Sequence, residues 1–242
     1  MSIRIVVITD VHANLPALKA VLEQVNKEGY DALYHTGDAV AIGPYPKESL
    51  ELLLEIPNSS FLLGNHDGIY AHGLPDPLPP YIHKNEAEHQ NWTRLQLGEG
   101  YRRIVADWPF LLQDKFEGVA ASFMHYSLSD SEGDWFLPLV EEQMVSRYDD
   151  LFSAYHTELI FFGHQHVSCD LKGNKRYVNP GSLGCQKSAR APYVTCEFSN
   201  KKFEVKHQVA VYDDNDLFRA FEERKVPAKD FIYKAFYGGR FS

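Results

Sequence analysis

Ile3-Arg4-Ile5-Val6-Val7-Ile8-Thr9-Asp10-Val11-His12-Ala13-Asn14-Leu15-Pro16 is the stretch on which the fold turns. Its first six residues are mostly β-branched and apolar, as in a strand buried on both faces. The run stops at Thr9-Asp10. Asn14 then offers a helix N-cap, Pro16 suits a first helical turn, and Leu15, Leu18, Leu22 and Val25 recur at helical spacing until Gly29. The same unit repeats: 32–35 reads as a strand ending in Gly37-Asp38, and Pro46 opens a helix through Leu50, Leu53 and Leu54. A third strand at 61–63 ends in Gly64-Asn65-His66-Asp67. Three such units predict an α/β protein with a largely parallel sheet.

The rhythm breaks between about 68 and 108. Pro75, Pro77, Pro79 and Pro80 lead into a polar, helix-like segment through Trp92, Leu95, Tyr101 and Ile104. About 40 residues rarely hold a core alone, so the segment reads as an insertion into one domain spanning 1–242. Strand signals resume at 120–125, a helix is expected near 149–155, and a strand at 159–162 runs into Gly163-His164-Gln165-His166. Segments 193–198 and 203–209 flank Ser199-Asn200-Lys201-Lys202 as an antiparallel hairpin, and two short helical patterns close the chain.

Composition narrows the function classes. The 242 residues are 44% hydrophobic, enough for a sizeable core, and carry a formal net charge of −9, which leaves no broad basic surface for long nucleic acid. No apolar run approaches the ~20 residues that cross a bilayer. The start of the chain lacks the pattern of a signal peptide, so a cytoplasmic location is expected. Cys169, Cys185 and Cys196 include no closely spaced pair, and they read as buried free thiols rather than a disulfide framework or zinc ribbon. The sequence carries no signal for oligomeric state.

The chemistry-bearing residues share one address. Asp10, His12, Asp38, Asn65, His66, His125, His164 and His166 all fall at or just past the C-terminal end of a strand candidate, the edge where open α/β sheets bind ligands. Asp10 and His12 are two apart, as are His164 and His166, and extended backbone would point each pair one way. Without His66 the donors are four imidazoles, two carboxylates and one amide oxygen. That is too many for one tetrahedral ion and suits two ions sharing a carboxylate. Nitrogen and oxygen donors without thiolate favour Mn, Fe, Zn, Co or Ni over Mg or Ca, and the donors alone do not choose among the five; Mn is the expected ion. Two divalent cations would also attract phosphate to an acidic protein.

In this order, Asp10-Val11-His12, Gly37-Asp38, Gly64-Asn65-His66-Asp67, Met124-His125 and Gly163-His164-Gln165-His166 resemble the calcineurin-like metallophosphoesterase family, in its small bacterial phosphodiesterase and phosphatase branch. The resemblance covers about residues 3–182. It implies a four-layer αββα sandwich of two mixed sheets with a helical cap insertion. It implies two divalent metal ions, one bound by Asp10, His12 and His166, the other by Asn65, His125 and His164, with Asp38 bridging. His66 would be the catalytic histidine, with Asp67 beside it as an orienting carboxylate. Asn179-Pro180-Gly181-Ser182 resembles the closing loop of this branch. Gln165 stands where many relatives have Thr, and Tyr126-Ser127 follows His125 where a glycine is common.

The activity implied is hydrolysis of a small phosphodiester or phosphomonoester, a nucleotide or dinucleoside polyphosphate among the candidates, by in-line attack of hydroxide. Substrate determinants are expected on the cap, at Tyr81, His83, Lys84, Arg94, Arg102 and Arg103. His35, His72, His89, His156 and His207 read as surface or packing residues, and Trp92, Trp108 and Trp135 as packing. A non-catalytic scaffold that binds a partner protein is the competing reading, disfavoured by the complete ligand set. A nuclease acting on polymers is disfavoured by the acidic balance.

Overall fold

The computed structural model describes residues 2–78, 82–129, 136, 139–140 and 143–240. β1 (Ile3–Ile8), α1 (Leu15–Glu28), β2 (Ala32–His35), α2 (Pro46–Leu54) and β3 (Ser59–Phe61) follow the predicted alternation. Three helices come next: α3 (Asn65–His72), α4 (Lys84–Leu97) and α5 (Arg102–Ala106). The second half contains β4 (Leu111–Phe116), β5 (Val119–Met124), α6 (Val145–Leu151), β6 (Leu159–Phe161), β7 (Cys169–Lys172) and β8 (Arg176–Asn179). The hairpin β9 (Arg190–Ser199) and β10 (Lys202–Val211) leads to α7 (Asn215–Glu223) and α8 (Lys229–Phe236).

The strands form two five-stranded sheets, ordered β10-β9-β1-β2-β3 and β4-β5-β6-β8-β7. In the first, β1, β2 and β3 are parallel, with Ile5 opposite Ala32 and Leu33 opposite Ser59, while β9 runs antiparallel to β1. In the second, β5, β6 and β8 are parallel, and β4 and β7 are antiparallel edges. The three βα units thus supply the parallel part of the first sheet, the C-terminal hairpin makes that sheet mixed by joining it beside β1, and the expected pair of mixed sheets is what the chain forms. Asn200 and Lys201 turn that hairpin with φ of 50° and 60°, which matches the twist of the strands it joins.

β1 explains the layering. Val6 and Ile8 face the helices, in one core with Ala17, Leu18, Val21 and Val25 of α1. Ile5 and Val7 face the other way and pack between the sheets against Phe123, Phe161 and Val178. Alternate residues of one strand thus seal two cores, each buried side chain contributing about 1.5–3 kcal/mol. The outer face of the second sheet, through Met124, Ile160 and Tyr177, is covered by Tyr148 of α6 and by Phe152. Helix, sheet, sheet and helix are the four layers of the expected αββα sandwich.

Asn14 caps α1 as read, its Oδ1 accepting from Ala17 N–H at 3.1 Å. Within 68–108 the described helices are the end of α3, α4 and α5, and Leu97, Val105 and Trp108 belong to the same core as Val6, which knits these residues into the main body. α7 and α8 pack through Leu217, Phe218, Phe221, Ile232 and Tyr237 around Ile42 and Cys185. That packing brings the end of the described chain beside the loops of the first sheet. Among the described residues no helix is long and apolar enough to cross a membrane.

Candidate metal centre

The segments that follow β1, β2, β3, β5 and β6, four loops and the first turn of α3, meet at one edge of the two sheets and carry all nine residues singled out in the sequence. Asp10, His12, Asp38, His164 and His166 have φ of 52°, 46°, 59°, 69° and 58°. Left-handed backbone at such residues costs on the order of 1–3 kcal/mol each and persists only where neighbours over-determine it. The extended spacing expected for Asp10/His12 and His164/His166 is thus not what delivers these pairs. Tight left-handed turns do, held by Asp10 N–H donating to Gly37 O (3.0 Å), His12 N–H to Asp38 O (3.0 Å) and Gly163 N–H to His125 O (2.8 Å).

The closing loop has a physical task here. Asn179 Nδ2 donates to Gly163 O at 2.8 Å, and Ser182 Oγ donates to Asp10 O at 2.9 Å. It ties the turn after β6 to the turn after β1.

The donor atoms fall into two overlapping sets. His12 Nε2 and His166 Nε2 are 2.9 Å apart, and Asp10 Oδ1 lies 3.6 and 3.4 Å from them. His125 Nε2 is 3.2 Å from Asn65 Oδ1 and 3.2 Å from His164 Nδ1. Asp38 Oδ2 stands between the sets, 3.8 Å from His12 Nε2 and 3.2 Å from His125 Nε2. The remaining carboxylate atoms are engaged. Asp10 Oδ2 accepts from Thr9 Oγ1 (2.8 Å) and His164 N–H (3.1 Å), and Asp38 Oδ1 accepts from His66 N–H (2.9 Å).

These residues fit a pair of cations. Asp10 Oδ1 is wholly buried and accepts no hydrogen bond among the described residues, an orphaned acceptor that costs free energy unless positive charge meets it. Imidazole nitrogens about 2.0–2.1 Å from one ion, at neighbouring positions, would be roughly 3 Å apart, which is the spacing of His12 and His166. His125 Nδ1 faces Thr36 O at 2.9 Å; donating there directs the Nε2 lone pair inward.

Electrostatics agree. Burial raises the Asp10 and Asp38 carboxyls, but the surrounding histidines together more than reverse this, His166 with His12 and His125 at Asp10 and His125 with His66 and His12 at Asp38, and both end well below the ordinary range. Burial lowers His125, but Asp38 outweighs it and lifts the imidazole to about 9. Burial and the charge of His125 drive His164 down to about 4. A proton on His125 thus balances Asp38, and a divalent cation would displace it.

His66 sits in the first turn of α3, half-buried, its ring edge-on to His12 at 5.2 Å. Burial lowers it to about 3. Asp67 does not orient it. Asp67 Oδ2 accepts from the N–H groups of Asp38 (2.7 Å) and Gly64 (3.2 Å), and Oδ1 from those of Ala39 (2.9 Å) and Val40 (3.2 Å). The physical reason is position: at N3 of α3 its side chain turns back onto the helix start and the loop after β2. His66 Nδ1 meets Gln90 Nε2 instead, at 2.5 Å.

Sequence reasoning missed Gln90, and it took His89 for packing. His89 Nε2 accepts the Ile42 N–H at 2.7 Å and so holds the loop after β2. The available signal was the helical spacing of Ala87, Gln90, Thr93 and Leu97, all buried on α4, disguised because two of the four are polar. Among the described residues, several of the expected substrate determinants are engaged elsewhere. Arg94 is engaged by Glu99, and Arg102 by Glu99 and Ala71 O. Lys84 lies 3.9 Å from Glu88, and His83 and Arg103 are exposed. Tyr81 and Trp135 lie outside the described residues. Gln165 accepts from Tyr148 OH (2.8 Å) and donates to Tyr126 OH (3.2 Å), filling the space behind His164.

Residues 3–168 match the family of calcineurin-like phosphoesterases. An uncharacterized protein of Methanocaldococcus jannaschii is 27% identical over 92% of this chain and 93% of its own. A metallophosphoesterase from Sphaerobacter thermophilus has the same fold, with a TM-score of 0.74 and 24% identity over 98% of both chains. A symmetrical bis(5'-nucleosyl)-tetraphosphatase of Baumannia cicadellinicola is 35% identical over 100 residues, which are 37% of this chain and 35% of that one.

Proposed function

Because the chain belongs to the calcineurin-like phosphoesterase family and is a phosphoester hydrolase, we propose that it works with two divalent metal ions on a small, nucleotide-type phosphoester. The observation that carries this reading is Asp38 Oδ2, poised between one donor set of Asp10, His12 and His166 and another of Asn65, His125 and His164. Imidazole and carboxylate donors admit Mn, Fe, Zn, Co or Ni, and manganese is the ion favoured here for its match to the carboxylate and amide oxygens.

When bound, the ions acidify water near neutral pH and draw charge from the phosphoryl oxygens. The chain supplies the rest. Asp38 would hold both ions and neutralise part of their charge, its carboxylate oriented by the His66 N–H, which donates to Oδ1. His66, with Nδ1 engaged by Gln90, presents Nε2 to the leaving oxygen and donates a proton there. Such a group contributes about 10²- to 10⁴-fold when the leaving alcohol is poor. The left-handed turns at Asp10 and His166 fix the donors before substrate arrives, so little reorganisation accompanies binding.

A dinucleoside polyphosphate or nucleotide is the preferred substrate class. The local likeness to the symmetrical tetraphosphatase lends support over 37% of the chain. The deciding experiment combines metal analysis with a panel of phosphomonoesters, cyclic nucleotides, dinucleoside polyphosphates and phosphopeptides. Two equivalents of metal and highest kcat/KM on a nucleotide support the reading; chelator-resistant turnover, or one ion per chain, overturns the dinuclear mechanism.

A further inference from the structure

The first donor set has a neighbour that composition alone consigned to the core. Cys185 is buried, and its Sγ lies within 4.8 Å of ring nitrogens of both His12 and His166. The loop that carries it is tied to Asp10 twice: Gly184 N–H and Ser182 Oγ donate to Asp10 O at 3.0 and 2.9 Å. Cys185 N–H in turn donates to Ser182 Oγ at 2.9 Å. The thiol is therefore anchored to the turn that carries the Asp10 carboxylate, with α7 and α8 packed behind it. A second observation points to a ligand at this place. Asp10 Oδ1, aimed at the same two imidazoles, is fully buried without a hydrogen-bond partner among the described residues. Beyond the thiol, Ile42, Leu217 and Phe218 pack as an apolar wall, and the Tyr237 hydroxyl faces the sulfur.

We propose that Cys185 is a thiolate donor to the ion held by Asp10, His12 and His166, giving this half of the centre a preference for soft or borderline metals such as zinc. The inference rests on the dinuclear reading and refines it. Coordination forms a metal–sulfur bond and breaks the S–H bond, with the proton leaving to buffer. One thiolate, two imidazoles and a carboxylate make a donor set suited to Zn²⁺ or Fe²⁺ and poor for Mg²⁺, whereas the Asn65, His125 and His164 set has no sulfur. The two positions are then chemically unequal, and the first resists exchange of zinc for manganese.

The test is X-ray absorption on the full chain loaded with two equivalents of zinc, beside the ultraviolet spectrum of the cobalt-loaded protein. The expected result is a zinc–sulfur shell at about 2.3 Å together with nitrogen and oxygen at about 2.0–2.1 Å. A sulfur-to-cobalt charge-transfer band should accompany it. Cys185→Ser should lose both signals and its zinc affinity relative to manganese should drop by roughly 10- to 100-fold. Two bound zinc ions with only nitrogen and oxygen neighbours in the unaltered protein would overturn the thiolate and leave the dinuclear reading standing. Failure to bind zinc, cobalt or manganese would overturn both. The spectra of the unaltered protein decide between these outcomes whether or not the variant folds.

Discussion

Gln90 Nε2 lies 2.5 Å from His66 Nδ1, while Gln90 Oε1 is buried with no hydrogen-bond partner among the described residues. An amide can serve either protonation state of an imidazole. In the observed orientation it donates to the neutral ring and fixes the proton on Nε2. Turned over, its oxygen accepts from Nδ1–H and steadies the imidazolium that a proton donor needs. Burial holds His66 down, to about 3, and an incoming phosphate supplies the negative charge that pushes it back up. Through Gln90, α4 thus reaches the imidazole that we propose as the proton donor.

Gln90→Leu should keep metal content and cut turnover of an alkyl phosphoester by about tenfold or more. A p-nitrophenyl ester, whose leaving group needs little protonation, should be hydrolysed at nearly the normal rate. His66→Ala should show the same asymmetry, more strongly. Steady-state kinetics on the two esters provides the measurement, and equal slowing of both would exclude proton donation by His66.

Asp38→Asn should lose most bound metal and nearly all activity. An amide presents one oxygen and no charge where Oδ2 now lies 3.2 Å from His125 Nε2 and 3.8 Å from His12 Nε2. Elemental analysis of the purified variant checks it, and a normal metal content would contradict the bridging role.

Much of this centre is legible in the sequence because strand ends in an α/β sheet are fixed by hydrophobic runs, and runs such as Ile5 to Ile8 are plain to read. What the sequence does not reveal is how polar groups answer one another across loops. Asp67 looks like a partner for its neighbour His66, yet its two oxygens collect four backbone N–H groups from the turns at Asp38 and Gly64. Gln90 and Cys185, distant in sequence, come to the site only through the packing of α4 and of the 179–185 loop. The short strands β4, β7 and β8 escape notice because sheet edges and four-residue strands leave weak alternation.

Asp67→Asn tests the corrected role. The amide nitrogen would confront two backbone N–H donors that now meet oxygen, leaving buried groups unsatisfied at about 1–3 kcal/mol each. A loss of roughly 2–5 kcal/mol in folding stability is expected in urea titrations. Unchanged stability with slower turnover confined to poor leaving groups would restore the orienting role.

His35 supplies a pH signature. It is fully buried, its Nε2 accepts no bond among the described residues, and burial drives it down to about 3. The unfolded chain takes up this proton below about 6.5, whereas the folded protein refuses it until near 3. More protons bind to the unfolded state in that window, so stability is full above about 6.5 and falls as the pH drops toward 3. The slope is up to about 1.4 kcal/mol per pH unit for this one group. In chelator-treated protein, His35→Phe should flatten the dependence of unfolding free energy on pH by about one proton between 6.5 and 4. An unaltered slope would mean that His35 is not the neutral buried group its surroundings dictate.

Gly163→Ala probes the coupling of the second sheet to the first. A Cβ at this position would stand 2.0 Å from Thr9 Oγ1 and 2.8 Å from Asp10 Oδ2, and Thr9 Oγ1 is itself the donor that fixes that carboxylate. The Thr9 side chain is wholly buried and has nowhere to retreat. Relief must come from the turn that carries His164 and His166 moving away from Asp10, at about 1–3 kcal/mol for the overpacking. One turn carries both histidines, so His166 then leaves Asp10 in the first donor set while His164 leaves His125 and Asn65 in the second. The variant should therefore weaken both metal positions together, and titration of the metal-free variant with manganese should show each affinity lowered by about tenfold or more. Weakening of one position alone, or of neither, would mean that the turn after β6 does not couple the two donor sets.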